Sequence, residues 1–277
     1  MKKILPILGV AAFAASPAFA AHVGTITDTS PGSATNDGVI NAGEYAGSTN
    51  GINAGFGDVI GETSSVFLDS STSGAINLGI RSANNFNDTA VFYIDSVTGG
   101  VASTAPINDT SDGGRAAISG NAASGESSEI TFAPGAAEGA SFLADYAVTV
   151  ENSFAGIFEI GDDGSLTFVN SANLTVGGDG STAARERELS FSLADIGLAA
   201  GGSFNYFGTY LNSGNAFRSN EFQGVRDRAD FDSNVGQNPV LLADGDYLTF
   251  ESVPVPEPAS LALVALGGVA LLGRRRA

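Results

Sequence analysis

The chain has 277 residues, with 30 aspartates and glutamates against 12 lysines and arginines, one histidine (His22) and no cysteine. A formal net charge of −18 repels phosphate backbones, which excludes nucleic-acid binding. The absence of cysteine excludes disulfides and thiol catalysis, and a single histidine argues against a serine triad or a His-based zinc site.

The first 20 residues have the parts of a secretory signal peptide. The start is basic, residues 4–13 are apolar, and Ala18 and Ala20 form a small-x-small cleavage site. We therefore predict export, with signal peptidase as the first partner and a mature chain that begins at Ala21.

Residues 21–253 form the body of the protein. No Pro- or Ser-rich linker divides it, and its 233 residues suffice for one large β domain. It carries seven arginines, no lysine and 29 acids, a net charge of −22. Such a surface favours cations or neutral partners, and a disulfide-free exported protein makes calcium a cofactor to consider.

Short segments rich in β-branched and aromatic residues recur along this body, separated by Gly-, Asn- and Asp-rich turns. Ile76, Leu78 and Ile80 alternate with polar or small residues, which is the period of a half-buried strand. The clearest hairpin closes over residues 161–164, where Asp-Gly suits the positive φ of a tight turn. We predict an all-β protein, an antiparallel β-sandwich with a jelly roll as the alternative topology.

The predicted strands cover residues 65–69, 75–81, 89–95, 146–151, 154–160, 165–169, 187–193, 203–211 and 247–251. Residues 96–139 read as loops and weak edge strands, the best of them at residues 129–133.

Four short motifs lie in order along these strands: Asp37-Gly38 with Glu44-Tyr45, residues 92–95, residues 144–146, and residues 193–197. Their order is similar to that of carbohydrate-binding module family 9 and DOMON-like sandwiches. The resemblance implies a β-sandwich and, as in the sugar-binding members, glycan recognition. This chain departs from those members because it has no tryptophan.

Tyrosine would have to replace tryptophan if the protein stacks on sugar rings. Tyr206 and Tyr210 share one face of the predicted strand 203–211, and Phe207 takes the other face. The two tyrosines could form a glycan platform, and packing at the edge of the core is the other interpretation.

A long polar loop at residues 212–238 holds the candidate calcium ligands. Asp230, Asp232 and Asn234 stand at every second position, so that their oxygens could converge on one ion in a looped conformation. The EF-hand pattern is not met, because Val235 stands where that pattern has glycine. A solvated acidic loop is the alternative.

The last 24 residues, 254–277, contain three pieces without a gap. Pro256, Glu257 and Pro258 belong to a stiff proline spacer, residues 259–272 are an uncharged run predicted to be a single hydrophobic helix, and three arginines follow: Arg274, Arg275 and Arg276. The arginines resist crossing a membrane, so we expect this end to remain cytoplasmic.

This tail resembles the PEP-CTERM sorting signal of Gram-negative bacteria. In that family the tail is recognised by an exosortase, a membrane transpeptidase thought to cut near the motif. The carriers often belong to strains that make extracellular polysaccharide and biofilm. The resemblance implies an exosortase-type enzyme and the inner membrane as partners of this chain.

We therefore predict an exported, non-enzymatic protein that its tail holds at the inner membrane, briefly or permanently, before delivery to the cell surface or the extracellular matrix. A structural role beside biofilm exopolysaccharide is the first hypothesis. Two alternatives stay open: a calcium-dependent glycan-binding module, and a carboxylate-only glycoside hydrolase, since glycoside hydrolysis needs only two acids.

Overall fold

The computed structural model describes residues 24–132, 142–178, 180–181, 183–227 and 229–253, without the side chain of Asp230. The predicted signal peptide, the tail and its apolar helix lie outside the described residues. Within those ranges, no helix has the length and apolarity that a membrane span requires.

The described residues are mostly β-structure. The strands are β1 (Gly24–Thr27), β2 (Gly47–Thr49), β3 (Ser65–Ser70), β4 (Ala75–Arg81), β5 (Thr89–Asp95), β6 (Ile130–Phe132), β7 (Tyr146–Val150), β8 (Ala155–Ile160), β9 (Leu166–Ser171), β10 (Asn173–Val176), β11 (Glu186–Ser192), β12 (Ser203–Asn212), β13 (Phe217–Gln223), β14 (Val240–Leu242) and β15 (Leu248–Glu251). The described residues also form one α-helix, α1 (Gly113–Ser119), and two 3-10 turns, Leu193–Ile196 and Ala229–Phe231.

The larger sheet has eight strands in the order β1-β15-β12-β5-β7-β8-β9, with β13 also paired to β12. Its neighbours are antiparallel except β1 and β15, which run parallel. Because β12 is ten residues long, its first half pairs with β15 and its second half with β13. The smaller sheet is antiparallel throughout, in the order β10-β11-β4-β3-β2.

The two sheets share one apolar core. Leu68, Leu78 and Phe191 of the smaller sheet belong to the same buried cluster as Phe92 and Tyr206 of the larger one. The alternation of side chains along a strand places these residues on facing surfaces of the two sheets.

A second cluster covers the opposite face of the larger sheet. Val91 and Tyr93 of β5 contact it, together with residues of α1 and of the parallel pair β6 and β14. Six of the seven residues of β5 are therefore buried, because apolar layers cover both of its faces.

The prediction of a mostly β, antiparallel chain is confirmed, and the hairpin over residues 161–164 is present as β8 and β9. The prediction that residues 96–139 contain only loops and weak strands is wrong at α1. There the Asp112 side chain accepts the Arg115 N–H and caps the helix start, and Gly120 ends the helix in the left-handed conformation. The helix is stable here because Ala116, Ala117 and Ile118 are buried against the rest of the protein. A segment of seven residues is too short for its sequence alone to predict such a helix.

Candidate functional site

The start of β5 lies beside the ends of its two neighbours, β12 and β7, at one end of the larger sheet. Antiparallel pairing places Thr89, the first residue of β5, opposite Leu211 near the end of β12, and Ala90 opposite Val150 at the end of β7. A cavity of about 340 Å³ opens beside these strand ends. We call it the polar cleft, and its polar lining includes Asn87, Asp88, Glu151, Asn152, Asn212 and Ser213.

Two carboxylates line the polar cleft with few donors around them. Asp88 Oδ1 accepts the Asn212 amide at 2.7 Å. Burial raises the pKa of Asp88, and the Asn212 hydrogen bond offsets part of that rise. Burial also raises the pKa of Glu151, with a smaller contribution from the negative charge of Asp112. Both groups therefore hold a proton more readily than exposed carboxylates do.

A buried arginine fixes the amide of Asn152. The Arg187 Nη2 donates to Asn152 Oδ1 at 2.9 Å, and Nη1 donates to the Ala184 carbonyl at 2.7 Å. The guanidinium carbon lies 4.1 Å from the centre of the Phe86 ring, and burial lowers the arginine pKa to about 10. Because its oxygen is engaged, Asn152 has its NH₂ group left for a ligand in the cleft.

The tyrosines predicted as a glycan platform lie in the core instead. Tyr206 and Tyr210 are each 1% exposed, so neither ring presents a face to solvent and an exposed platform on them is ruled out. They do share a face, with Phe207 on the other, as the alternation predicts. The Tyr210 hydroxyl accepts the N–H groups of Asn87 and Asp88 at 3.0 and 2.8 Å, so that this residue shapes the cleft from beneath.

The candidate calcium loop is organised by amide side chains. Asn53 and Asn220 both donate to the Phe231 carbonyl, at 2.9 Å each. Asn234 Oδ1 accepts the Asn220 backbone N–H at 3.1 Å. Asp232 is exposed.

The Asp230 side chain, the third predicted ligand, is outside the described residues. Among the side chains that are described, no group of three His, Cys, Asp or Glu is arranged to hold a metal ion. Calcium binding at Asp230, Asp232 and Asn234 therefore stays a prediction.

Sequence reasoning missed a set of buried carboxylates that anchor loops. Glu188 on β11 is fully buried, and its Oε2 accepts the backbone N–H groups of Asp37, Gly38 and Val39 at 3.1, 2.6 and 3.0 Å. Its Oε1 accepts the Tyr45 hydroxyl at 2.6 Å. These contacts fix the loop before β2 on the smaller sheet.

Glu221 on β13 has the same role for another loop. It accepts the N–H groups of Phe56, Val59 and Ile60 at 2.6, 2.6 and 3.0 Å. Burial raises its pKa although these donors lower it. The available signal was a lone acid inside each predicted or observed strand. The backbone donors lie more than 145 residues away for Glu188 and more than 160 for Glu221.

Comparison with known proteins adds evidence about the tail, which the structure does not describe. The family model of the PEP-CTERM protein-sorting motif matches residues 254–276. This match includes every tail residue predicted from the sequence: Pro256, Glu257, Pro258, Arg274, Arg275 and Arg276. No curated protein matches the chain.

A search of solved structures finds a "putative carbohydrate-binding protein" from Bacteroides uniformis at 7% identity. The match covers 68% of this chain and 78% of that one, and its TM-score of 0.32 is too low to carry an argument. The identification therefore depends on the tail: the chain carries a PEP-CTERM protein-sorting motif, which indicates exosortase-dependent sorting of an exported protein.

Proposed function

We propose that this protein is a non-enzymatic component of the cell surface or extracellular matrix, released there after its tail has been processed. The observation that carries the proposal is the sorting motif at residues 254–276. The β-rich body supports it, because loops fixed by buried carboxylates give an exported chain order without disulfides. Association with biofilm exopolysaccharide is part of the proposal.

Mass spectrometry of the mature C-terminus tests this proposal in a host that contains an exosortase. We expect the wild-type protein to lose Arg274–Arg276 and to leave the inner-membrane fraction. A variant with Glu257→Ala should keep its C-terminal Ala277 and remain with the membrane. A matched variant, Glu126→Ala, removes a partly exposed acid outside the motif and should be processed normally. An intact Ala277 on wild-type protein at its final location would refute processing.

A second candidate function is glycan binding at the polar cleft. Its amide, hydroxyl and carboxylate groups are the kinds of group that hydrogen-bond sugar hydroxyls, and they converge on one cavity of about 340 Å³. Among the described residues, the lining contains no aromatic side chain, so recognition here would depend on hydrogen bonds instead of ring stacking. The calcium-dependent version adds an ion at the loop of Asp230, Asp232 and Asn234.

Retention of the protein on polysaccharides from its host separates these alternatives. Under the glycan-binding proposal the double variant Asp88→Asn/Glu151→Gln should bind at least about tenfold more weakly, since a lost hydrogen bond to a charged group costs about 1.5–3 kcal/mol. The exposed-acid control Asp163→Asn should bind like wild type.

Loss of binding in a chelator, with an increase in melting temperature on adding calcium, would support the calcium-dependent version. Release of reducing sugar would support a hydrolase, and no retention on any polysaccharide would refute both.

A further inference from the structure

Two hairpins border the polar cleft, and an exposed phenylalanine lies at the end of each. In the β12–β13 hairpin, Asn212 lines the cleft and pairs with Phe217 across the two strands. In the β7–β8 hairpin, Glu151 lines the cleft and its N–H donates to the Phe154 carbonyl at 2.8 Å. Phe154 and Phe217 are 39% and 37% exposed. The cleft therefore has an aromatic ring on either side of it, although neither ring belongs to its lining.

A second aromatic ring holds each of these phenylalanines in place. The Phe154 ring stacks on Phe168 with centroids 6.5 Å apart and planes 27° apart, and the Phe217 ring stacks on Phe56 at 5.8 Å and 29°. Gly156 leaves room for the first stack, because a Cβ atom there would lie 2.9 Å from the Phe154 ring. Rings that are already ordered lose little conformational entropy when they bind a ligand, so both are suited to contact one.

The positions of the two rings set the length of a ligand that contacts both. Four strand spacings separate β13 from β8 in the order β13-β12-β5-β7-β8, which is about 19 Å. Phe217 packs with Phe56 on the face of the shared core. Phe154 packs with Phe168, which contacts Phe158 on the face that carries α1. A ligand in contact with both rings must cross the strand ends, where the polar lining lies, and must be several sugar units long.

Charge indicates which class of glycan fits. The body has a net charge of −22, and two carboxylates, Asp88 and Glu151, line the cleft, so acidic sugars are repelled. No lysine or arginine is among the described lining residues. Arg187 is buried behind Asn152 and does not reach the lining. Uncharged sugars avoid this repulsion: their hydroxyls suit the amide and carboxylate groups of the cleft, and their C–H faces suit the exposed rings.

We propose that the polar cleft, Phe154 and Phe217 form one elongated site for an uncharged polysaccharide chain. The cleft hydrogen-bonds the middle of the chain, and the two rings stack on sugar units to either side of it. This inference rests on the proposed glycan binding at the cleft, and it adds the class of glycan and two residues that contact it. It does not depend on calcium or on processing of the tail.

Affinity electrophoresis of the full-length protein in a nonionic detergent tests this site. The probes are the uncharged and the acidic fractions of the host's extracellular polysaccharide, cast separately into native gels. We expect the uncharged fraction alone to retard the wild-type protein. The retardation should be equal at low and high salt, because no ion pair between protein and glycan is involved.

Substitutions at the two rings separate their contribution from that of the cleft. Phe154→Ala and Phe217→Ala should each weaken binding about fivefold, the effect expected from the loss of one aromatic stack. Phe154→Trp keeps a ring at this position and should bind at least as tightly as wild type. Leu241→Ala removes an apolar side chain that is 61% exposed outside the cleft, and should bind like wild type.

Hydrogen exchange on wild-type protein gives a second measurement that does not require a variant to fold. Amides of residues 152–154 and 213–217 should gain protection when the uncharged fraction is added, whereas those of β10 should not change. If Asp88→Asn/Glu151→Gln loses binding while both alanine variants bind like wild type, glycan binding at the cleft stands and the elongated site is wrong. Retardation by the acidic fraction, or retardation that high salt abolishes, would overturn the class of glycan. No retardation by either fraction would overturn both proposals.

Discussion

Glu188 and the two acids of the polar cleft are carboxylates of one acidic protein, but they differ in their donors. Glu188 accepts four hydrogen bonds, three of them from consecutive backbone N–H groups. Asp88 accepts one amide hydrogen bond, and the described residues offer no donor to the Glu151 carboxylate. A carboxylate whose donors are supplied by the fold stabilises the fold, whereas a carboxylate without them is available to a ligand or a proton.

The largest expected effect is that of removing the Glu188 carboxylate. Glu188→Ala leaves the Asp37 and Gly38 N–H groups and the Tyr45 hydroxyl without this acceptor, whereas the Val39 N–H keeps its hydrogen bond to Asp37 Oδ1. Each unsatisfied buried group costs about 1–3 kcal/mol, so the free energy of unfolding should fall by about 3 kcal/mol or more. Urea unfolding followed by circular dichroism measures this change, since the chain has no tryptophan.

Glu186 provides the matched control on the same strand. Its carboxylate pairs with Arg81 at 2.7 Å, and both side chains are partly exposed. An exposed ion pair contributes less than about 1 kcal/mol, so Glu186→Ala should have a small effect. Equal losses in the two variants would contradict the distinction between anchoring and surface carboxylates.

Sequence patterns predicted the features that depend on residues close together in the chain, such as the position of a strand and which of its side chains are buried. The alternation of Ile76, Leu78 and Ile80 marked β4, and all three side chains are buried as expected. The same patterns missed the anchors, because the donors to Glu188 lie about 150 residues away. They also missed the parallel pairing of β1 with β15, which joins the two ends of the described body. Periodicity describes the faces of a strand and says nothing about which distant strand lies beside it.

The polar cleft shows the same limit at a functional site. Asp88 precedes β5, Glu151 follows β7 and Asn212 ends β12. They share no sequence motif, so only the order of strands β12, β5 and β7 brings them together. The sequence left two roles open for Tyr210, a glycan platform and packing at the edge of the core, and its 1% exposure excludes the first. Tyr210 is buried because apolar residues cover both faces of the larger sheet. Its hydroxyl then accepts hydrogen bonds from backbone N–H groups.

A smaller effect is expected at Asp95, a carboxylate with few donors at the other end of β5. Burial raises its pKa to about 6, the Asn205 amide lowers it in part, and Asp145 raises it further. The folded-state pKa is above the unfolded one, so folding is disfavoured once the group ionises. Its stabilising contribution is present below about pH 4 and is lost as the pH rises through 6.

Asp95→Asn should therefore increase stability at pH 7.5 and change little at pH 3.5. After allowance for partial exposure, we expect a gain of about 1 kcal/mol at the higher pH. Thermal unfolding of both proteins at the two pH values measures this difference. A gain that is the same at both pH values would show that the charge of Asp95 is not its cause.

The smallest stability effect should occur at Glu151, where the comparison with Glu188 is most direct. Its pKa is raised by burial and by Asp112, so the ionised form disfavours folding above the ordinary pKa of a glutamate. Glu151→Gln should stabilise the protein by less than about 1 kcal/mol at pH 7.5, and the gain should disappear at low pH.

Exposed Asp163 has the opposite shift, because the Ser165 hydroxyl and N–H lower its pKa. Asp163→Asn should accordingly give no gain at pH 7.5. If Glu151→Gln is stable but no longer retained on polysaccharide, the acid was held in the cleft for a ligand at the expense of stability. If Glu151→Gln destabilises the protein as Glu188→Ala does, Glu151 anchors the fold as Glu188 does. That result would contradict the proposal that the polar cleft is a binding site.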